Sequence, residues 1–407
     1  MKKLTFCLAL IFSPIAFAHE APPHLDLEMT SLEYQEHLKT IESLTEDHPA
    51  ITEALNLGSR LSQWITLINE GRSESAAIRL TSSATRGGIP IDKPSTYSPE
   101  LIHERIGEIL KDLPKEFKDI LLSRTDLPRT LPVDDETFIK YARLIDRQYQ
   151  SAARFKSIDQ WRGHYADAAN KDVRGYYYLT TNKIQEAELR DRALIPEEKI
   201  APIKEALIQI CQNATSNLDR CSKNLEKAYE KNTLARFYKS YFTQAQKNWD
   251  SFFIIPKNAR RRDIVWEKNI AIVPFNTPKI EKFIPYLQDN IEDEFRFENW
   301  GLKLNFGSFT NGPRLIFRPN VVPHVNALGG NEIVMDSNQA IEEYESQWTI
   351  RHEFGHVLGL PDCYHEFYDM KNKVYVNYQF DITDLMCSRA GDMNERIYLE
   401  LKKVYEK

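Results

Sequence analysis

The sequence predicts an α+β protein in which a helical region precedes a small mixed sheet backed by helices. Apolar residues recur at helical spacing through most of the chain before residue 260. Compact apolar runs that begin at Asn269 then indicate strands. After the last of these runs comes a helix that carries two histidines four positions apart.

The composition is that of an ordinary globular protein with room for two domains. The chain has 407 residues, of which 42% are hydrophobic and 28% are charged. The formal net charge of −6 gives no basis for nucleic-acid binding. We expect the basic cluster Arg260–Arg262 to be a solvated linker or processing site. No apolar run after the N-terminal region is long enough to span a bilayer, so no transmembrane segment is predicted.

The N-terminus has the pattern of an export signal. Lys2 and Lys3 precede the mostly apolar segment Leu4–Ile15, and residues 16–18 (AFA) fit a small-x-small cleavage site. Residues 1–18 are therefore predicted to be a signal peptide, and the mature protein is expected in a periplasm or outside the cell. Four cysteines remain after cleavage, and an even number in an exported chain favours disulfides. Sequence proximity pairs Cys211 with Cys221 and Cys363 with Cys387.

Residues 19–260 are predicted to form a helical domain whose role, as a pro-, inhibitory or recognition domain, stays open. Its helices begin at recognisable caps, which include a capping box at Thr30–Glu33. Ser98, which precedes a proline, and Asp134 are expected to cap two further helices. The other expected elements are helices at Pro49–Glu70 and near residues 157–171 and 196–212, a long helix near 216–250, and a short extended piece at Tyr176–Thr181.

Residues 265–407 are predicted to form a second domain with the order strand, helix, three strands, helix. Lys279–Phe297 has the amphipathic pattern of a helix. A helix that contains the two histidines is expected to begin near Ile341, and Met393–Tyr405 is expected to be a closing helix. The expected strands are Asn269–Phe275, Leu302–Phe309, Arg314–Arg318 and Asn331–Asp336.

The helix with the two histidines carries the chemistry. His352 and His356 lie on one helical face, where two neutral imidazoles can hold one divalent metal ion. Glu353 lies one position along and can reach a water molecule bound to that ion. Beyond the helix, a left-handed turn at Gly359 would let the chain fold back.

The third ligand has two candidates. Pro361 cannot continue the helix, so the chain after Gly359 can present Asp362 to the metal. A longer turn would instead present His365, since imidazole is a common zinc ligand. The sequence favours Asp362 and leaves His365 as the alternative.

Residues 352–362 (HEFGHVLGLPD) resemble the motif of the metzincin clan of zinc metallopeptidases, HExxHxxGxxH or HExxHxxGxxD. The aspartate in last place is similar to the snapalysin-type minority of the clan. Residues 384–387 (DLMC) fit the downstream Met-turn. The resemblance covers about residues 265–407 and implies a metzincin-like catalytic domain with a small, twisted mixed sheet and an active-site helix.

The resemblance also implies roles for the motif residues. His352, His356 and Asp362 would hold one catalytic Zn²⁺, Glu353 would be the general base, and Met386 would form the apolar floor. The implied function is an exported zinc-dependent endopeptidase acting on peptide or protein substrates. The alternative is a non-catalytic zinc-containing scaffold with a helical protein-binding module, against which the base at Glu353 argues.

Two further expectations concern the substrate and a second catalytic side chain. The Asn331–Asp336 strand would be the upper edge strand, pairing with an extended peptide through its main chain. The residues expected to contact that peptide are Asn331, Glu332, Ile333 and Val334. Several metzincin families place a tyrosine two residues after the Met-turn methionine, where this chain has Ser388. Tyrosine assistance would then come from Tyr364 or Tyr378, and the sequence does not choose between them.

Overall fold

The computed structural model describes residues 48–80, 88–319, 321–337, 341, 344–388 and 391–406. The predicted signal peptide and the predicted helix that opens at Thr30–Glu33 lie outside the described residues. The chain divides into two compact units. Of the described residues, those between 48 and 252 and between 362 and 391 belong to the helical unit. The described residues between 253 and 361 and between 392 and 406 belong to the sheet unit.

This division corrects the predicted domain boundaries. The sequence assigns residues 265–407 to one domain, but residues 362–391 belong to the helical unit. The reason is a hairpin of β9 (Tyr364–Asp369) and β10 (Val374–Gln379), which was not predicted. Strand β10 also pairs with β1 (Ser95–Tyr97). This third strand stabilises the hairpin, since an isolated two-stranded hairpin is only marginally stable.

Two helices of the helical unit begin at the caps that the sequence predicts. Ser98 accepts a hydrogen bond from the Leu101 N–H at 3.3 Å, and Asp134 accepts one from the Thr137 N–H at 2.9 Å. In one core cluster of this unit, the buried ring of Trp64 contacts those of Phe117 and Phe138. The helices are α1 Pro49–Asn69, α2 Pro99–Asp112, α3 Lys115–Leu122, α4 Asp135–Ile158, α5 Arg162–Ala168, α6 Arg174–Thr181, α7 Glu197–Thr215, α8 Leu218–Glu230 and α9 Leu234–Ser251.

Two predictions of secondary structure for this unit are wrong. The expected long helix near residues 216–250 is two helices, α8 and α9, separated where Asn232 takes a φ of 51°. The expected extended piece at Tyr176–Thr181 lies in helix α6. Gly175 and Leu179 are both buried at helical spacing, and a Cβ at Gly175 would lie 2.6 Å from the Ala206 carbonyl oxygen of α7. Close helix packing therefore outweighs the β propensity of the tyrosines.

The sheet unit contains the mixed β-structure that the sequence predicts, as two sheets. In the first, the order is β2-β3-β5-β4, with β3 and β5 parallel. In the second, the order is β6-β8-β7, with β6 and β8 parallel and β7 antiparallel to β8. The strands are β2 Val265–Glu267, β3 Ile270–Asn276, β4 Arg296–Phe297, β5 Trp300–Gly307, β6 Arg314–Arg318, β7 His324–Val325 and β8 Glu332–Asp336.

The helices of the sheet unit are shorter than predicted. Helix α10 (Phe283–Leu287) continues as a π-helical segment, Gln288–Glu292, before β4 begins. Helix α11 (Tyr344–Val357) carries the two histidines, and helix α12 (Glu395–Tyr405) is the expected closing helix. Among the described residues, no helix is both long and apolar enough to cross a membrane.

The basic cluster Arg260–Arg262 is not a solvated linker throughout. The Arg261 side chain is only 5% exposed and donates to the carbonyl oxygens of Gly330 and Asn311, each at 3.0 Å. It also pairs with Asp263. The expectation is therefore wrong for Arg261, because its guanidinium holds three separate backbone segments of the sheet unit together.

Candidate metal centre

Helix α11 is held in the sheet unit by an aromatic contact on its buried face. The ring centroid of Phe354 lies 5.6 Å from that of Phe295 and 6.5 Å from that of Phe275 on strand β3. All three side chains are fully buried. Since Phe354 is two positions from both His352 and His356, this packing fixes the face on which the histidines lie.

The structure brings His352, Glu353 and His356 together as one cluster. A possible ligand atom from each lies within 4.8 Å of those of the other two. The three side chains are 8%, 1% and 7% exposed. The two imidazole rings are 4.8 Å apart between centroids and nearly perpendicular, at 87°. Two imidazoles and a carboxylate in a buried cluster are a donor set that fits a zinc ion.

A hydrogen bond determines which nitrogen His356 can offer to a metal. Its Nδ1 lies 2.8 Å from the Leu360 carbonyl oxygen. A carbonyl can only accept, so Nδ1 carries the hydrogen and Nε2 keeps its lone pair. Such a bond also fixes the orientation of a metal-ligating ring. His356 is therefore prepared to bind a metal through Nε2.

The turn that supplies this carbonyl depends on Gly359, as predicted. Gly359 has a φ of +84°, and its N–H donates to the His356 carbonyl at 2.9 Å. The Leu360 N–H donates to the Gly355 carbonyl at 3.0 Å, which completes the helix end. A Cβ at Gly359 would lie 2.7 Å from the Ala259 carbonyl oxygen, so space as well as φ requires glycine.

Gly329 and Tyr405, which are distant from the motif in sequence, also hold the end of helix α11. The Gly329 N–H donates to the His356 carbonyl at 2.8 Å, and the Tyr405 hydroxyl donates to the Leu358 carbonyl at 2.8 Å. Gly329 has a φ of +72° and lies in the Gly-Gly pair before β8, which is its only sequence signal. Tyr405 gives no local signal, because it comes from the closing helix.

The residue before the first histidine anchors the other end of the motif. The Arg351 guanidinium donates at 3.2 Å to a carboxylate oxygen of Glu294 and at 3.2 Å to the side-chain oxygen of Asn290. Glu294 also accepts the Met393 N–H at 2.7 Å. Burial raises the pKa of Glu294 above its ordinary value. These contacts tie α11 to the π-helical segment on one side and to the approach to α12 on the other.

Both candidates for the third ligand, Asp362 and His365, lie near the start of the segment Asp362–Gly391, which belongs to the helical unit. Asp362 is half-buried and directly follows Pro361. His365 is 7% exposed, and its Nε2 lies 3.1 Å from the Ala168 carbonyl oxygen. Burial lowers the pKa of His365 to about 4. His365 therefore has a defined structural role inside the helical unit, whereas the ligand role of Asp362 stays a prediction.

Both predicted disulfides are present, and one lies beside the predicted Met-turn. Cys211 is bonded to Cys221, and Cys363 is bonded to Cys387. Met386 is fully buried, and its carbonyl accepts the Cys363 N–H at 3.0 Å. Disulfide formation removes Cys363 and Cys387 as metal ligands, although they cluster with Asp384.

The buried Asp384 shapes the turn that contains Met386. One Asp384 carboxylate oxygen accepts the Met386 N–H at 2.8 Å, and the Asp384 carbonyl accepts the N–H groups of Cys387 and Ser388 at 3.0 Å each. Three consecutive N–H groups thus bond to one residue. The segment is a tight turn, as the sequence predicts, and its role beneath a metal stays a prediction.

The expected position of the substrate strand is wrong. Strand β8 is the central strand of its sheet, because Ile333 pairs with Leu315 of β6 and with Val325 of β7. The Asn331 carbonyl also accepts a hydrogen bond, from the Arg314 N–H at 2.9 Å. The main chain at residues 331–334 is thus flanked on both sides, and β7 is the outer strand next to it. A two-residue strand carries too little pattern to be found in the sequence.

The structure also separates the two tyrosine candidates. Tyr378 is fully buried in the helical unit, where its hydroxyl donates to Asp172 at 2.9 Å and accepts the Val173 N–H at 3.2 Å. Burial raises its pKa well above the ordinary value. Tyr378 therefore supports the local fold. Tyr364 is half-buried at the start of β9, and its assistance to catalysis stays a prediction.

Comparison of the chain with protein-family profiles, with curated proteins and with solved structures finds no match in any of the three. The metzincin resemblance therefore rests on the motif residues themselves. The cluster of His352, Glu353 and His356 and the turn at Gly359 are structural findings. The activity that they support is a proposal.

Proposed function

We propose that this chain is an exported zinc-dependent endopeptidase. The observation that carries the proposal is the buried cluster of His352, Glu353 and His356, with ligand atoms within 4.8 Å of one another. His352 and His356 would hold the ion, and Asp362 is the third ligand that the sequence favours. When bound, zinc would supply Lewis acidity that activates a water molecule and polarises the substrate carbonyl. The two disulfides support export, since such bonds persist in oxidising compartments.

Glu353 is the proposed general base. Its carboxylate would accept a proton from the attacking water and deliver that proton to the leaving amine. The side chain is only 1% exposed, so bulk water competes little for its oxygens. It follows His352 on helix α11, whose far end is fixed by Gly329 and Tyr405. This anchoring would favour catalysis, because a base must stay within hydrogen-bond reach of its water.

The test is replacement of Glu353 by glutamine, which keeps the size of the side chain and removes its charge. We expect cleavage of a broad peptide library to fall by about 100-fold or more. Zinc content by elemental analysis and the unfolding midpoint should stay close to those of the parent protein. Glu395→Gln, at an exposed position on α12, is the matched control and should leave cleavage unchanged.

Two outcomes would contradict the proposal. Persistent cleavage by folded, zinc-loaded Glu353→Gln would remove Glu353 from the mechanism. A parent protein that binds zinc but cleaves no member of the library would favour the non-catalytic scaffold with a helical protein-binding module. The disulfides Cys211–Cys221 and Cys363–Cys387 should be verified in the same samples, so that lost activity is not a result of incorrect oxidation.

A further inference from the structure

A second cluster of potential metal ligands lies in the helical unit, at the predicted Met-turn. Cys363, Asp384 and Cys387 each offer one ligand atom, and these atoms lie within 4.8 Å of one another. All three side chains are buried. Among the residues that the structure describes, this cluster and the candidate metal centre on helix α11 are the two groups of this kind.

The disulfide holds both sulfur atoms of this cluster in a covalent bond. Cys363 and Cys387 are bonded to each other, and a carboxylate oxygen of Asp384 lies 3.4 Å from the Cys363 sulfur. Reduction of the bond would place two thiols beside this carboxylate. Two thiolates and one carboxylate suit zinc, which binds both sulfur and oxygen ligands and takes water in a fourth position when three protein groups hold it.

Backbone hydrogen bonds hold the two cysteine segments together independently of the disulfide. The Cys363 N–H donates to the Met386 carbonyl, and the Phe380 N–H donates to the Cys363 carbonyl, each at 3.0 Å. The Cys387 N–H donates to the Asp384 carbonyl at 3.0 Å. These bonds would remain after reduction and keep the three donors close. A metal ion would therefore meet a site whose backbone is already ordered.

The other disulfide of the helical unit lacks a carboxylate in such a cluster. Cys211 and Cys221 are bonded to each other and are also buried. The Thr215 hydroxyl lies 3.9 Å from the Cys211 sulfur and 3.1 Å from the Cys221 sulfur. Neither cysteine belongs to a potential metal-binding group among the described residues. This pair is therefore an internal control for the effect of Asp384.

We propose that Cys363, Asp384 and Cys387 form a redox-controlled zinc site, which is blocked by the disulfide and becomes available on its reduction. A dithiol would give two electrons and two protons to the bond, which becomes two cysteine thiols, while the sulfurs of the dithiol form their own disulfide. Zn²⁺ would then displace the two thiol protons to solvent and bind both thiolates and the carboxylate. The ion would replace the lost cross-link.

The site does not depend on the proposed peptidase activity, because every group that it uses belongs to the helical unit. It also links metal binding to reduction. Zinc would bind the reduced form of the site and not the disulfide, so zinc must favour reduction of this one bond by mass action. The Cys211–Cys221 bond should show no such dependence on zinc.

The test measures reduction of both disulfides in the full-length protein, in mixtures of reduced and oxidised dithiothreitol with and without buffered free Zn²⁺. Alkylation followed by peptide mass spectrometry reads each bond separately. We expect zinc to lower the dithiol-to-disulfide ratio that half-reduces Cys363–Cys387 by about tenfold, which corresponds to about 30 mV. Cys211–Cys221, in the same sample, is the matched control and should not shift.

Three variants identify the ligands. Asp384→Asn keeps an oxygen that can accept the Met386 N–H and removes the charge, so the zinc-dependent shift should be lost while the turn is kept. Reduced parent protein with added Co²⁺ should show a thiolate-to-cobalt absorption band, which Cys363→Ser should weaken. His356→Ala should retain the shift, because the candidate metal centre on helix α11 is a separate group.

Three results would overturn the proposal. The first is an equal effect of zinc on both disulfides, or no effect on Cys363–Cys387, and this comparison needs only the parent protein even if a variant fails to fold. The second is a full shift in folded Asp384→Asn. The third is loss of the shift in folded His356→Ala, which would assign the effect to the candidate metal centre. Failure of the proposed peptidase activity would change none of these measurements.

Discussion

Two buried histidines, one in each unit, show how similar burial can serve different purposes. His356 of the sheet unit and His365 of the helical unit are both 7% exposed. Each has one ring nitrogen bonded to a backbone carbonyl, that of Leu360 at 2.8 Å and that of Ala168 at 3.1 Å. The bonded nitrogen is Nδ1 in His356 and Nε2 in His365. Burial and hydrogen bonding alone therefore do not distinguish a ligand from a structural histidine.

The residues around each imidazole ring distinguish the candidate ligand His356 from the structural histidine His365. His356 lies in a cluster with His352 and Glu353, all of which can donate a lone pair to a cation. The ring of His365 instead packs among aromatic rings, with centroids 5.2 Å from Phe367 and 5.5 Å from Phe252. No metal-binding group found among the described residues contains His365. A cluster of like donors indicates a site for an ion, and an aromatic enclosure indicates packing.

The largest expected effect is on bound zinc, when His356 and His365 are replaced one at a time. His356→Ala should reduce bound zinc from one equivalent to a small fraction of that, because one of the few protein ligands is removed. His365→Phe should retain zinc, since phenylalanine fits an aromatic enclosure. Elemental analysis of the folded monodisperse protein measures both. Loss of zinc in a folded His365→Phe variant would make His365 the third ligand and reverse the comparison.

The acid sensitivity of stability should depend on His365. Burial lowers its pKa to about 4, whereas an unfolded histidine titrates near 6.5. Between these values the unfolded chain binds more protons, so the free energy of unfolding falls as pH falls. The contribution is about 3 kcal/mol between pH 6.5 and 4. Urea unfolding across this range should show a smaller decline for His365→Phe than for the parent protein; equal declines would show that the ring is accessible to protons.

The elements with local signals were predictable from sequence. Ser98 and Asp134 cap the helices that they were expected to cap, and Gly359 ends helix α11 with a positive φ. The cysteine pairs follow from sequence proximity and the expected export. Each of these features depends on a few neighbouring residues, so a short stretch of sequence contains the whole physical cause.

The elements that depend on distant partners were not predictable. Glu366 on β9 pairs with Arg154, 212 residues away, and accepts a hydrogen bond from Tyr97. This buried pairing and the β1–β10 ladder assign residues 362–391 to the helical unit. At the candidate metal centre, the same limit applies to Gly329 and Tyr405. Both act through one hydrogen bond to a carbonyl near the end of α11, and neither bond changes the local sequence pattern.

Gly359→Ala should have a smaller effect on zinc affinity, because it changes the turn that orients His356 and leaves His356 itself in place. The φ of +84° and the 2.7 Å approach to the Ala259 carbonyl oxygen would force the turn to move. The left-handed conformation alone costs about 1–2 kcal/mol for a residue with a Cβ. Displacement of the Leu360 carbonyl would also release the His356 ring, and loss of such an orienting bond lowers metal affinity by about 10–100-fold.

The control for this substitution is Gly107→Ala in helix α2, where a Cβ would meet no atom within 4 Å. Alanine there should raise stability by about 0.5–1 kcal/mol and leave zinc affinity unchanged. Competition with a chelator measures the affinity, and urea unfolding measures the stability of both variants. If Gly359→Ala lost stability but kept parental zinc affinity, the Leu360 hydrogen bond would not orient His356. The difference between His356 and His365 would then lie only in the side chains around each ring, and not in how a hydrogen bond orients the ring.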